Sequence, residues 1–102
     1  MDYEWDEAKR AANLAKHGVD FPAAVAVLEA RPPVFADERR DYGEPRYVAL
    51  GGLDGRLLVV VFTLRGQAVR IISARKANAR EVQLHARYQE RQDQLEKGGR
   101  RG

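Results

Sequence analysis

The chain has 102 residues, room for one domain around one hydrophobic core. It contains no cysteine, which excludes disulfides and thiolate metal sites and makes the cytoplasm its simplest address. Eighteen basic residues stand against fifteen acids, but Lys97, Arg100 and Arg101 are three of the eighteen, so residues 1–96 are neutral and the net charge of +3 belongs to the tail.

Tyr3-Glu4-Trp5 reads as a short first strand, and the acidic start from Met1 to Glu4 is unlike the basic opening of a signal peptide. Asp6 is a good N-cap for an Ala-rich helix from Glu7 to His17, which Gly18 ends in the left-handed position. Ala8, Ala11, Ala12 and Ala15, with Leu14 beside them, form an apolar face expected to lie close against the body. Lys9, Asn13, Lys16 and His17 form a polar stripe on another side. Asp20 caps a second helix, Phe21 to Ala30, with Pro22 tolerated in its first turn and Phe21, Val25 and Leu28 on its buried side. Pro32-Pro33 stops it.

Val34-Phe35-Ala36 reads as a modest strand leading into a charged loop, Asp37 to Gly43. Three stronger strands follow at 46–51, 56–64 and 69–74. Gly52-Leu53-Asp54-Gly55 and Arg65-Gly66-Gln67-Ala68 join them into an antiparallel meander. The longest apolar run, Leu57 to Leu64, is far shorter than the ~20 residues of a membrane span. Asn78 with Glu81 forms a capping box that opens a last helix, expected to reach about Leu95 before Gly98-Gly99 breaks it. Its only large apolar residues are Val82, Leu84, Tyr88 and Leu95, so it either projects into solvent or is covered by a partner. The expectation is an α+β fold ordered β-α-α-β-β-β-β-α, with two N-terminal helices packed on a mostly antiparallel sheet and a polar C-terminal helix. It forms one domain over residues 1–96, followed by a disordered basic tail at 97–102.

A two-residue turn at Gly66-Gln67 pairs Arg65 with Ala68, Thr63 with Arg70 and Val61 with Ile72. One face of the hairpin then carries Val59, Val61, Thr63, Arg65, Arg70 and Ile72. The bulkier face, which includes Leu58, Val60, Phe62, Ile71, Ser73 and Arg75, should meet the helices. Arg65 and Arg70 on one face repel unless an anion lies between them. They read either as a phosphate clamp or as surface arginines paired with acids such as Glu44 or Asp37. His17 suits a general base, with an ordinary pKa of about 6.5, or a histidine merely stabilised by a helix C-terminus. His85, four residues after Glu81, reads first as half of an i,i+4 pair. The histidines and acids lack metal-ligand spacing, there is no Walker-type loop, and Trp5 and Phe35 read as core residues.

Two sets of residues resemble the BrnT-type toxins of type II toxin–antitoxin systems. The first is Glu4-Trp5-Asp6-Glu7-Ala8-Lys9, Asn13, Lys16-His17-Gly18-Val19 and Phe21. The second is Gly55 to Thr63, then Arg70-Ile71-Ile72-Ser73-Ala74-Arg75-Lys76-Ala77 and Glu81. In order, they cover roughly residues 3–85. The resemblance implies a RelE-like fold and a ribonuclease that needs no metal or cofactor, in which a ribose 2′-hydroxyl attacks the adjacent phosphate and translation is arrested. It also implies a BrnA-type antitoxin that binds the toxin in a hetero-oligomer, and through which alone the toxin reaches operator DNA. On this reading Arg65 and Arg70 supply positive charge, His17 serves as base or acid, and Lys9, Asn13, Lys16, Arg75 and Lys76 position RNA. Where the family pattern has tyrosine four residues after Glu81 this chain has His85, with Tyr88 one turn on. His85 then replaces the tyrosine as proton donor, or activity is reduced, or the position packs against antitoxin. A catalytically weak module acting as co-repressor with its antitoxin is the alternative reading.

Overall fold

The structure, a computed structural model, describes residues 1–99. Its elements are β1 (Asp2–Glu4), α1 (Glu7–His17), α2 (Phe21–Glu29), β2 (Val34–Ala36), β3 (Tyr47–Leu53), β4 (Arg56–Arg65), β5 (Ala68–Lys76) and α3 (Ala79–Gly99), in the expected order. The strands form one sheet, β1-β5-β4-β3-β2, in which β1 runs parallel to β5 and the other pairs are antiparallel. Asp54 and Gly55 both take positive φ, 51° and 77°, so Leu53 pairs directly with Arg56 across a turn whose twist suits a hairpin. Asn78 and Glu81 make the expected reciprocal capping box, each side chain accepting the other's backbone N–H at 2.9 Å.

The core lies between α2 and one face of the sheet. Phe21, Ala24 and Val27 meet Ala49, Leu58, Val60, Phe62, Val69, Ile71 and Ala74, with Val19 sealing the end. Each large apolar side chain so buried contributes roughly 1.5–3 kcal/mol. The buried row of α2 is therefore Phe21, Ala24 and Val27, while Val25 is half-buried and Leu28 packs at the margin. The reason is close approach: a Cβ on Gly51 would lie 2.8 Å from Val27 Cγ1 and 3.0 Å from Pro32 Cβ. Small Ala24 and the bare Gly51 let helix and strand sit together.

Helix α1 reverses its expected orientation. Ala8, Ala11, Ala12, Leu14 and Ala15 are exposed, whereas Arg10, Asn13 and His17 turn toward the body. The cause is the edge of β5. Strand β1 covers that edge only from Ala68 to Arg70, and α1 continues along it where β1 stops. Ala74 needs a partner there for its N–H and C=O. The Asn13 amide supplies both, donating to Ala74 O at 2.8 Å and accepting from Ala74 N at 3.2 Å, and it also donates to Val19 O at 3.0 Å. Arg10 reaches Asp20, the cap of α2, at 3.0 Å. Polar anchoring outweighs the alanine stripe.

Helix α3 runs on to Gly99, past the expected end near Leu95. Residues 100–102 of the expected tail lie outside the described residues.

The open sheet face as a candidate active site

The sheet face turned away from α2 gathers the charged residues, and an irregularity in β5 decides which. From Arg65↔Ala68 to Phe62↔Ile71 the pairing is as expected; then Val61 faces Ser73, and Ile72 is the extra residue of a bulge. The expected pair of Val61 with Ile72 does not form. Alternation reverses beyond the bulge. Ala74, opposite Val60, enters the core, and Arg75, opposite Val59, comes out on the open face with Thr63 and Arg70. An unbroken strand would have driven the Arg75 charge into the apolar layer under α2.

Arg65, Arg70 and Arg75 each have an acid. Arg70 Nη1 donates to Glu4 Oε2 of β1 at 2.6 Å, and Arg65 Nη2 to Glu44 Oε2 at 3.5 Å. Arg65 and Arg70 are diagonal neighbours across the Thr63–Arg70 pair. Thr63 is fully buried between them, its hydroxyl donating to Pro45 O. Arg75 makes a two-pronged contact with Glu81 of α3, both distances 2.7 Å, and this guanidinium holds the Glu81 carboxyl below the usual carboxylate range. Glu81 is thereby committed to Arg75 and Asn78 rather than to His85, whose ring nitrogen lies 3.4 Å from Gln89.

The 37–46 loop closes one end of the face. Asp37 is nearly buried, accepts from Arg39 Nε and Nη2 at 2.8 Å each and from Tyr42 at 3.2 Å, and is held far below the carboxylate range chiefly by Arg39. The Arg46 guanidinium lies 4.1 Å from the centre of the Tyr42 ring, and its buried Nε has no hydrogen-bond partner among the described residues. Sequence reasoning missed Glu4, Arg39, Tyr42 and Arg46. The alternation of Arg46, Val48 and Leu50 against core residues Tyr47 and Ala49 was the signal for Arg46.

The remaining residues divide by element. Lys9 and Lys16 lie ~40° and ~60° round α1 from Asn13, on the side away from Arg10, so they flank the open face along β5. Lys76 is exposed at the end of β5. Asn13 is committed to the sheet edge. His17 ends α1 and is half-buried, ~40° round the helix from Asn13 on the side of Arg10, which faces the start of α2. His85 is half-buried on α3. Trp5 packs edge-on to Phe21 at 5.9 Å, but Phe35 is half exposed and meets Tyr88 rather than the core. No cluster of three or more metal-ligating side chains occurs among the described residues. No helix among them is long and apolar enough to cross a membrane.

Fold and site together define a small α+β domain that presents a sheet face lined by guanidinium–carboxylate pairs. Residues 5–81 match the family described as the ribonuclease toxin, BrnT, of type II toxin–antitoxin systems, and the chain belongs to that family. Its class is thus a ribonuclease toxin with a protein antitoxin as partner. No individual curated protein matches the chain significantly.

Proposed function

We propose that this toxin cleaves RNA on the open sheet face without a metal ion, and that this arrests translation until a BrnA-type antitoxin binds it. The observation that carries the reading is the bulge at Ile72, which sets Arg75 on the sheet face turned away from α2 with Arg70, Thr63 and Arg65. In the reaction the ribose O2′ loses its proton and bonds to phosphorus while the P–O5′ bond breaks and O5′ gains a proton. The products are a 2′,3′-cyclic phosphate and a 5′-hydroxyl. Charge builds on the phosphoryl oxygens as phosphorus becomes pentacovalent, and fixed guanidinium donors stabilise it there. Arg65 and Arg70 suit that role because their carboxylate partners, Glu44 and Glu4, are part-exposed and can be exchanged for phosphate. Lys9, Lys16, Arg75 and Lys76 line the approach along α1 and β5, and Asn13 serves RNA only by fixing α1. His17 and His85 are the two imidazoles assigned to proton transfer at O2′ and O5′. Operator DNA is reached only through the antitoxin complex.

Expression of the chain alone should halt growth, and the double substitution Arg65→Ala, Arg70→Ala should restore it. Purified protein should cleave RNA in excess chelator and leave cyclic phosphate ends. A double variant as toxic as the parent would place the chemistry elsewhere. His17→Gln and His85→Gln, compared by pH profile, decide which imidazole acts. One observation favours a second reading: Arg65, Arg70 and Arg75 each already hold an acid, as in a binding module with little activity. A chain that binds antitoxin and represses with it, yet cleaves no RNA, would be that module.

A further inference from the structure

Helix α3 crosses the open face above β2 and β3 without closing on it. Its aromatic contact there is Tyr88 edge-on to Phe35, ring centres 6.4 Å apart. Between helix and strands lies a groove of about 620 Å³, walled by Phe35, Val48 and Leu50 on one side and by Leu84, His85 and Tyr88 on the other. Phe35 and Leu84 are each 51% exposed, so the apolar walls face water. Arg87 and Arg91, one helical turn apart, also line it. Its carboxylate, Glu81, is neutralised by Arg75.

We infer that this groove seats a segment of the protein antitoxin that carries large apolar side chains on one side and acidic residues along the other. The inference rests on the toxin reading for the identity of the partner. Apolar walls offer nothing to a sugar–phosphate chain, whereas they bury aliphatic and aromatic side chains, in the manner of a helix lying in a groove. The paired arginines select acids at the rim, which favours charge complementarity with such a segment. Leu84, Arg87, Tyr88 and Arg91 lie beyond residues 5–81, the segment matched to the family. Because Glu81 both lines the groove and grips Arg75, the occupant touches the wall that holds an arginine of the candidate active face.

The test titrates the full chain with the antitoxin encoded with it, while RNA cleavage by the same preparations is measured in parallel. Leu84→Asp, and separately Arg87→Glu with Arg91→Glu, should each weaken the complex at least ~10-fold and leave cleavage unchanged. The charge-reversal pair alters exposed side chains only, and an unchanged thermal midpoint shows that it folds. Arg65→Ala with Arg70→Ala should do the opposite, abolishing cleavage with antitoxin affinity kept within ~2-fold. Antitoxin affinity that is unchanged in both groove variants overturns the inference. So does a loss of RNA cleavage without loss of antitoxin binding, which makes the groove an RNA seat, or a loss of self-association alone, which makes it a contact between copies. A chain that cleaves no RNA refutes the enzymatic reading and leaves the binding measurement intact.

Discussion

Asn13 shows how one polar side chain can orient a helix against its apolar pattern. With a hydrophobic stripe of alanines available, α1 instead turns inward the residue that can satisfy both backbone groups of Ala74. Asn13→Ala strands a donor and an acceptor at the β5 edge and should cost roughly 1–3 kcal/mol in urea denaturation. Asn13→Asp should not rescue it, since a carboxylate accepts from Ala74 N–H but repels the carbonyls of Ala74 and Val19 that the amide now serves. A loss below about 0.5 kcal/mol for the alanine variant would mean that water replaces the amide. Asp37 makes a second prediction. Its folded pKa lies far below the ordinary value of about 3.8, held there first by the Arg39 hydrogen bonds. The stability it confers is complete above that ordinary value and is lost as pH falls toward the lowered one. An acid titration followed by circular dichroism should therefore show a shallower loss below about pH 3.8 in Asp37→Asn than in the parent.

Strand β5 marks the boundary between what its sequence discloses and what packing adds. The two-residue turn at Gly66-Gln67 fixes Arg65 opposite Ala68 and Thr63 opposite Arg70, because turn length sets register without any knowledge of the core. Helix caps at Asp6 and Asp20 and the capping box at Asn78 are equally local, and all were legible. The bulge was not, since it answers to the opposite layer. Strict alternation would expose Ala74 and bury Arg75, and that conflict, beside the adjacent Ile71 and Ile72, was the available hint. The same dependence on a distant partner hid the inward face of α1 and the Glu4–Arg70 contact, whose partners lie 66 residues apart. Deleting Ile72 removes the extra residue, so regular pairing resumes with Ala74 still opposite Val60 and Arg75 still opposite Val59 on the open face. The expected cost is therefore only about 1 kcal/mol, the scale for losing one half-buried apolar side chain, read as a small fall in the denaturation midpoint with cleavage retained. A loss of at least ~3 kcal/mol, the scale for a buried unpaired charge, would show instead that the strand had slipped and carried Arg75 under α2.

The whole molecule separates net charge from working charge. Residues 1–96 are neutral overall, yet Arg39, Arg46, Arg65, Arg70 and Arg75 meet on or beside one sheet face while α2 covers the other. A fold can thus present a local cationic surface without a basic composition, which is why composition alone pointed to the tail. If the face acts by shape as well as by charge, charge and activity should come apart at Arg70. Arg70→Lys keeps the positive charge, so the salt dependence of RNA binding should stay close to that of the parent. Arg70→Ala should flatten the slope of log affinity against log salt by about 0.7, the value of one single-strand phosphate contact. Cleavage should fall about 10²–10³-fold in both, because lysine has no planar fork with which to hold two phosphoryl oxygens as charge develops on them. Full activity in Arg70→Lys would reduce this arginine to a point charge guiding RNA and shift the stabilising role to Arg65 or Arg75. Loss of cleavage in both variants with a changed slope only in the alanine variant would identify Arg70 as a geometric participant in phosphoryl transfer.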